Sequence, residues 1–144
     1  MRTIRFRGKN KKDEWIYGNY CKLTQYDSVY IIPEDMGGVV IEVEDFKVDP
    51  NTVGQLTMYR DRNGKEIYEG DILRSDDYLF SDGKEKDNYL GVVFCTMDGS
   101  FEIMRFVTKQ CKRRGIYNFI NRPFYDINME EVDVIGNILS LIHI

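Results

Sequence analysis

With 144 residues, 42% of them hydrophobic and 13% aromatic, the chain has the length of one compact domain and enough apolar material to bury a core, which excludes intrinsic disorder. It contains no run of about eighteen apolar residues, which excludes a membrane-spanning helix, and its basic start, MRTIRFRGKNKK, is not followed by the apolar stretch of a signal peptide. The net charge of −4 argues against tight unspecific binding of nucleic acid, a mode that rests on neutralising phosphates.

Ten tyrosines, eight phenylalanines and no alanine predict strands rather than helices. Thr3 to Arg7 alternates Ile4 and Phe6 with polar neighbours, and Trp15 to Leu23 repeats the pattern after a charged turn at Lys9 to Glu14, so the two predict a hairpin. Val29 to Ile32 is a third short strand, stopped by Pro33, and Val39 to Val43 a fourth after the Gly37-Gly38 turn. Asp49-Pro50 predicts a turn, with Gly54 interrupting the strand that follows. Within RDRNGKEIYEGDIL, Asn63-Gly64 is a hairpin signal that predicts a type I′ turn, and Glu69-Gly70-Asp71 a second tight turn or bulge. Arg74 to Asn88 reads as a long polar loop. Leu90 to Thr96 and Ser100 to Met104 form a hairpin about Asp98-Gly99, Thr108 to Arg122 predicts a helical turn, and Asp133 to Ile138 closes the chain as a strand.

The charge is segregated. Arg2, Arg5, Arg7, Lys9, Lys11 and Lys12 crowd the start, and Arg105, Lys109, Lys112, Arg113, Arg114 and Arg122 form a second basic stretch, with acidic stretches between and after them. Cross-strand pairing of opposite charges explains such a layout; a nucleic-acid face built on Arg2, Arg5, Arg7, Lys109, Lys112, Arg113 and Arg114 is the alternative. Trp15, Tyr17, Tyr20, Tyr26 and Tyr30 lie near the basic residues, the mixture that stacks bases on a β surface. Alternation puts Trp15, Tyr17 and Asn19 on one face and Ile16, Gly18 and Tyr20 on the other, and Trp15 is assigned to the core.

Catalytic chemistry has little to build on. Asp61, Glu66, Glu69 and Asp71 fail the calcium-loop pattern, since glycine follows Asp61 too early, and nothing supplies an apolar pocket to split two carboxylate pKa values. They read as turn residues, with Asp61 and Glu69 at exposed positions. His143, the one histidine, is penultimate, and no glycine-rich phosphate loop is present. Cys21, Cys95 and Cys111 match neither zinc nor redox spacing and read as small buried hydrophobes in a reducing cytoplasm. No metal or cofactor is expected.

VDPNTVGQLTMYRDRNGKEIYEGDIL resembles a block of the YopX family of phage and prophage proteins. The similarity continues in IRFRGKNKKDEWIYGNY, GVVFCTMDGSFEI and EVDVIGNI, in family order over almost the whole chain. It departs at Met58-Tyr59, where a Gly-Leu pair is usual, and in the tail LSLIHI. The resemblance implies an all-β protein in which an SH3-like barrel, residues 50–144, packs on an N-terminal β unit, residues 1–49, with short helical turns in loops. It implies a phage or prophage origin and carries no catalytic residues. The expected function is a non-catalytic binding module in the cytoplasm of a bacterial host, away from membranes. Its expected partner is a protein or a second copy of the chain, and nucleic acid is the alternative.

Overall fold

Alternation of apolar and polar residues at the start of the chain produces the expected hairpin, in which β1 (Phe6–Lys9) pairs antiparallel with β2 (Trp15–Leu23) from Phe6↔Gly18 to Lys9↔Trp15. The computed structural model in which it is seen describes residues 4–25, 27–34, 42–75, 89–105, 122–124 and 127–139. The turn between the strands is tied by the Asn10 side chain, whose Oδ1 accepts from the N–H groups of Lys12 and Glu14 at 3.0 and 2.9 Å. β3 (Ser28–Ile32) pairs with β2 from Asn19↔Ile32 to Leu23↔Ser28, and ends one residue before Pro33, which has no N–H to offer. The two-residue β4 (Lys47–Val48) adds to β3, and β5 (Gly54–Arg60) adds its first residues to β1 through Phe6↔Gln55 and Arg7↔Gly54.

These segments form one of two units, Met1–Leu56 and Thr57–Ile144. The core of the first is Val29, Ile31 and Val48, with Phe6, Ile16 and Val53 packed against it. Gly18 is required by a close approach: a Cβ there would stand 2.1 Å from the Ile32 carbonyl oxygen. Asp49-Pro50 makes the expected turn, a 3-10 helix over Pro50–Thr52 capped by the Asp49 carboxylate, which accepts from Asn51 N–H at 3.0 Å. Gly54 begins a strand rather than interrupting one. Val43 opens a second 3-10 helix, Val43–Phe46. Residues 39–41 of the strand expected at Val39 to Val43 lie outside the described residues, as do all but Arg122 of the helical turn expected at Thr108 to Arg122 and most of the loop expected at Arg74 to Asn88.

In the second unit β5 continues into a hairpin with β6 (Glu66–Tyr68). The strands β7 (Asp71–Ser75), β8 (Tyr89–Cys95), β9 (Phe101–Arg105), β10 (Arg122–Pro123) and β11 (Val132–Asn137) make a separate sheet in the order β10-β9-β8-β7-β11. Ile67, Leu73, Val93, Phe101, Ile103, Phe124 and Val132 form its core. Among the described residues the sheet is open, with β10 and β11 as its edges, and the SH3-like barrel that the resemblance implied is not seen. The cause is visible on the outer side of β11. Arg62 N–H donates to Val132 O at 2.9 Å and Val134 N–H donates to Asp61 Oδ2 at 3.1 Å, so the groups that a closing strand would need are already satisfied by a turn.

That turn also differs from the type I′ expected for Asn63-Gly64. Gly64 N–H donates to Asp61 O at 3.0 Å and Asp61 N–H to Lys65 O at 2.9 Å. Only Gly64 has positive φ, +80°. This is a three-residue loop in which a type I turn is completed by a left-handed glycine. The reason is the Asp61 side chain: its Oδ1 accepts from Asn63 N–H at 2.9 Å, mimicking one more backbone turn and leaving Asn63 at negative φ. The β8–β9 hairpin repeats the geometry, with Thr96 N–H on Ser100 O at 2.8 Å and Gly99 at φ +85°. Gly70, at φ +90°, has the left-handed conformation expected of it.

Met58 is the unfavourable counterpart. It holds φ +74° inside β5 and is 45% exposed, a conformation in which Cβ crowds the following carbonyl. Met58→Gly removes a strain of about 1–2 kcal/mol against a smaller entropic loss, so it raises stability by about 0.5–1 kcal/mol. Gly64→Val lowers stability by about 1 kcal/mol or more, because a β-branched residue resists left-handed geometry. Urea midpoints of the two single variants, expected to move in opposite directions, check both.

Candidate functional site

The acid-rich stretch is a structural latch in which the acids lie deeper than their turn context suggests. Asp61 is 7% exposed, against the expectation of an exposed turn residue, because its carboxylate sits between its own turn and β11. It accepts three backbone N–H bonds, from Asn63 and Lys65 at 2.9 Å each and from Val134 at 3.1 Å. Burial pushes its pKa up, but the N–H groups of Val134, Lys65 and Asn63, with the charge of Lys65, outweigh that and hold it below the ordinary value. Around it, Arg62 Nε stands 2.9 Å from Asp133 Oδ1 and an Arg62 guanidinium nitrogen donates to Glu131 O at 2.7 Å. The Asn63 side-chain amide donates to Asp133 Oδ1 at 3.2 Å, and Arg74 reaches Asp133 Oδ2 at 3.4 Å. Asp71, 2% exposed, accepts from Tyr68 N–H at 2.8 Å across the second turn.

Both buried acids are thus engaged by backbone donors. Burial pushes the Cys95 thiol up, helped by the charges of Glu69 and Asp98, so it stays protonated and packs at the edge of the core. Cys95 and Cys21 are both only partly buried free cysteines. Cys111 and His143 lie outside the described residues. Asp98, at the tip of the β8–β9 hairpin, is held at about pKa 2 by the hydroxyls of Thr96 and Ser100 and by Ser100 N–H. Among the described residues no group of three or more His, Cys, Asp or Glu stands ready for a metal ion.

The basic residues give a different picture in the first unit. Arg7 is 6% exposed, and its guanidinium carbon lies 4.3 Å from the centroid of Trp15; Lys9 Nζ lies 5.1 Å from the same ring and 3.0 Å from Asp13 Oδ1. Arg5 Nε stands 3.9 Å from Glu34. Arg2, Lys109, Lys112, Arg113 and Arg114 lie outside the described residues. Strand register explains the Arg7 and Trp15 contact. Phe6, Gly8 and Ile16 face the core, so Arg7, Lys9, Trp15 and Tyr17 share the opposite face.

Trp15 is therefore not the core residue that its large apolar ring suggested. It lies half-buried beneath two cations, and the aliphatic Ile16 takes the inward position. Tyr17 on the same outer face is 46% exposed. On the inward side Tyr20 reaches the rim, 44% exposed, with its ring 5.4 Å from Phe6. Two open cavities border the same unit. One of about 430 Å³ is lined by Leu23, Ser28, Tyr30, Val43, Glu44 and Lys47; another of about 410 Å³ shares Glu44 and Lys47 and adds Asn10, Lys11, Lys12, Glu14 and Asp45.

These features define an all-β protein whose buried acids Asp61 and Asp71 hold turns and in whose first unit Arg7, Lys9, Trp15 and Tyr17 share one sheet face. Among the described residues no helix is long and apolar enough to cross a membrane. The chain belongs to the YopX family of phage and prophage proteins: the family model described as YopX protein matches residues 5–140. No curated protein matches the chain.

Asp61→Asn tests the latch. Either orientation of the new amide leaves at least one of the three N–H groups without an acceptor, so the variant loses about 1–3 kcal/mol. Because the folded pKa of Asp61 lies below its ordinary 3.8, the carboxylate contributes stability above that value and loses it as pH falls through the folded one. Urea midpoints measured from about pH 5 down to about pH 2 are expected to fall less steeply for Asp61→Asn than for the unaltered chain.

Proposed function

We propose that the protein is a non-catalytic phage or prophage accessory protein that engages a protein partner through the outer face of the first unit's sheet. The observation that supports this reading is the grouping of Lys9, Trp15 and Tyr17 on the face turned away from the core, with the buried Arg7 packed against the Trp15 ring. Trp, Tyr and Arg are the residue types that dominate protein interfaces, since they bring large contact area and polar handles at low entropic cost. Here they are preordered: the Trp15 ring is held by two cations and Tyr17 stands directly opposite Arg7 in register. Placement in the cytoplasm of a bacterial host belongs to the same proposal and accords with the free thiols of Cys21 and Cys95.

A photo-crosslinking residue at position 17, with position 97 as control, tests the reading in bacterial cells carrying the phage. Met97 is fully exposed in the second unit and serves as a neutral reporter. The expected result is a discrete protein adduct from position 17, suppressed by excess unlabelled chain and missing from position 97; an adduct with the chain itself makes the partner a second copy. Equal, diffuse adducts from both positions overturn the reading. Adducts with nucleic acid alone, with binding that weakens steeply as salt rises, transfer the site to the basic-face alternative.

A further inference from the structure

The tip of the latch carries a chemically reactive pair. Asn63 precedes Gly64, and both are exposed. In such a pair the glycine amide nitrogen meets little steric resistance in attacking the asparagine side chain; even a Cβ on Gly64 would find nothing within 4 Å. In the closed turn three hydrogen bonds oppose the attack. Gly64 N–H donates to Asp61 O at 3.0 Å, Asn63 N–H to Asp61 Oδ1 at 2.9 Å, and the Asn63 side-chain amide to Asp133 Oδ1 at 3.2 Å. The nucleophile and the leaving group are each pinned to a different acceptor.

We propose that Asn63-Gly64 is a spontaneous deamidation site gated by this latch, and that the carboxylate formed at position 63 keeps the latch from closing again. When the turn opens, the Gly64 nitrogen loses its proton and bonds to Cγ of Asn63, the Cγ–Nδ2 bond breaks, and Nδ2 leaves as ammonia with the proton. One water then opens the five-membered imide at either carbonyl, giving aspartate or isoaspartate. No redox change and no further reagent is involved. Aspartate at 63 replaces a donor facing Asp133 with a second negative charge at hydrogen-bond range, and isoaspartate lengthens the backbone of a turn that has no slack. In both cases the bonds from Asp61 and Arg62 to β11 are strained from one end.

The test follows the peptide containing Asn63 by mass spectrometry, with isoaspartate quantified, while the full chain is incubated in mildly alkaline buffer with and without denaturant. The native rate is expected to be slower than the denatured rate by about tenfold or more, because only opened turns react. Asp133→Ala is expected to speed the native reaction several-fold and leave the denatured rate unchanged; the comparison with denaturant needs no variant and stands if Asp133→Ala does not fold. Asn63→Asp is expected to lower the urea midpoint more than the neutral Asn63→Ser. Absence of product in denaturant overturns the site, equal native and denatured rates overturn the gate, and equal midpoints of the two substituted chains overturn the lock-out.

Discussion

The second unit depends on one carboxylate shared among three backbone N–H groups. Asp61 closes its own turn through Asn63 and Lys65 and caps a strand more than seventy residues away through Val134. A buried charge is costly unless donors surround it, and here they are backbone groups whose positions the turn and the strand already fix. The bonds are therefore cheap in side-chain entropy. They also distribute the constraint: the turn cannot change shape without releasing β11, and β11 cannot shift register without leaving Asp61 short of a donor.

From that bond the open architecture follows. A strand at the edge of a sheet offers a row of unpaired groups to any neighbour, including another chain. Val132 O and Val134 N–H are covered by Arg62 and Asp61, while Asp133 between them is drawn into contacts with Arg62, Asn63 and Arg74. A turn of five residues thus does the work that a further strand does in a closed barrel. The core survives without closure because Ile67 from the hairpin and Leu73, Val93, Ile103 and Val132 from the sheet bury one another almost completely.

The first unit solves a different problem. Gly8 and Gly18 let neighbouring chain approach closely on one face, and Ile16 and Phe6 complete that core, so the bulky Trp15 is turned outwards. Left to water, an indole would be poorly accommodated. Beneath the Arg7 guanidinium and the Lys9 ammonium it becomes a rigid platform with Tyr17 beside it. Aromatic surface flanked by cations brings contact area and polar handles, whereas the buried acids are occupied by backbone donors.

Local signals in the sequence determined the elements: period-two alternation placed β1, β2 and β9, short apolar runs placed β3, β8 and β11, and Asp98-Gly99, Asn63-Gly64 and Asp49-Pro50 marked turns where the backbone turns. The family was legible for the same reason, since its blocks are those turns and strands. What only the tertiary structure decided is everything that depends on a distant partner. The type of the Asn63-Gly64 turn was set by the Asp61 side chain, the depth of Asp61 by Val134, and the open sheet by the capped edge of β11. Which side of β2 faced inward was decided by Val48 and Ile31 against Gly8 and Ile16, a packing choice that alternation leaves symmetric. Spacing along a chain records which residues share a face, and burial depends on what that face meets.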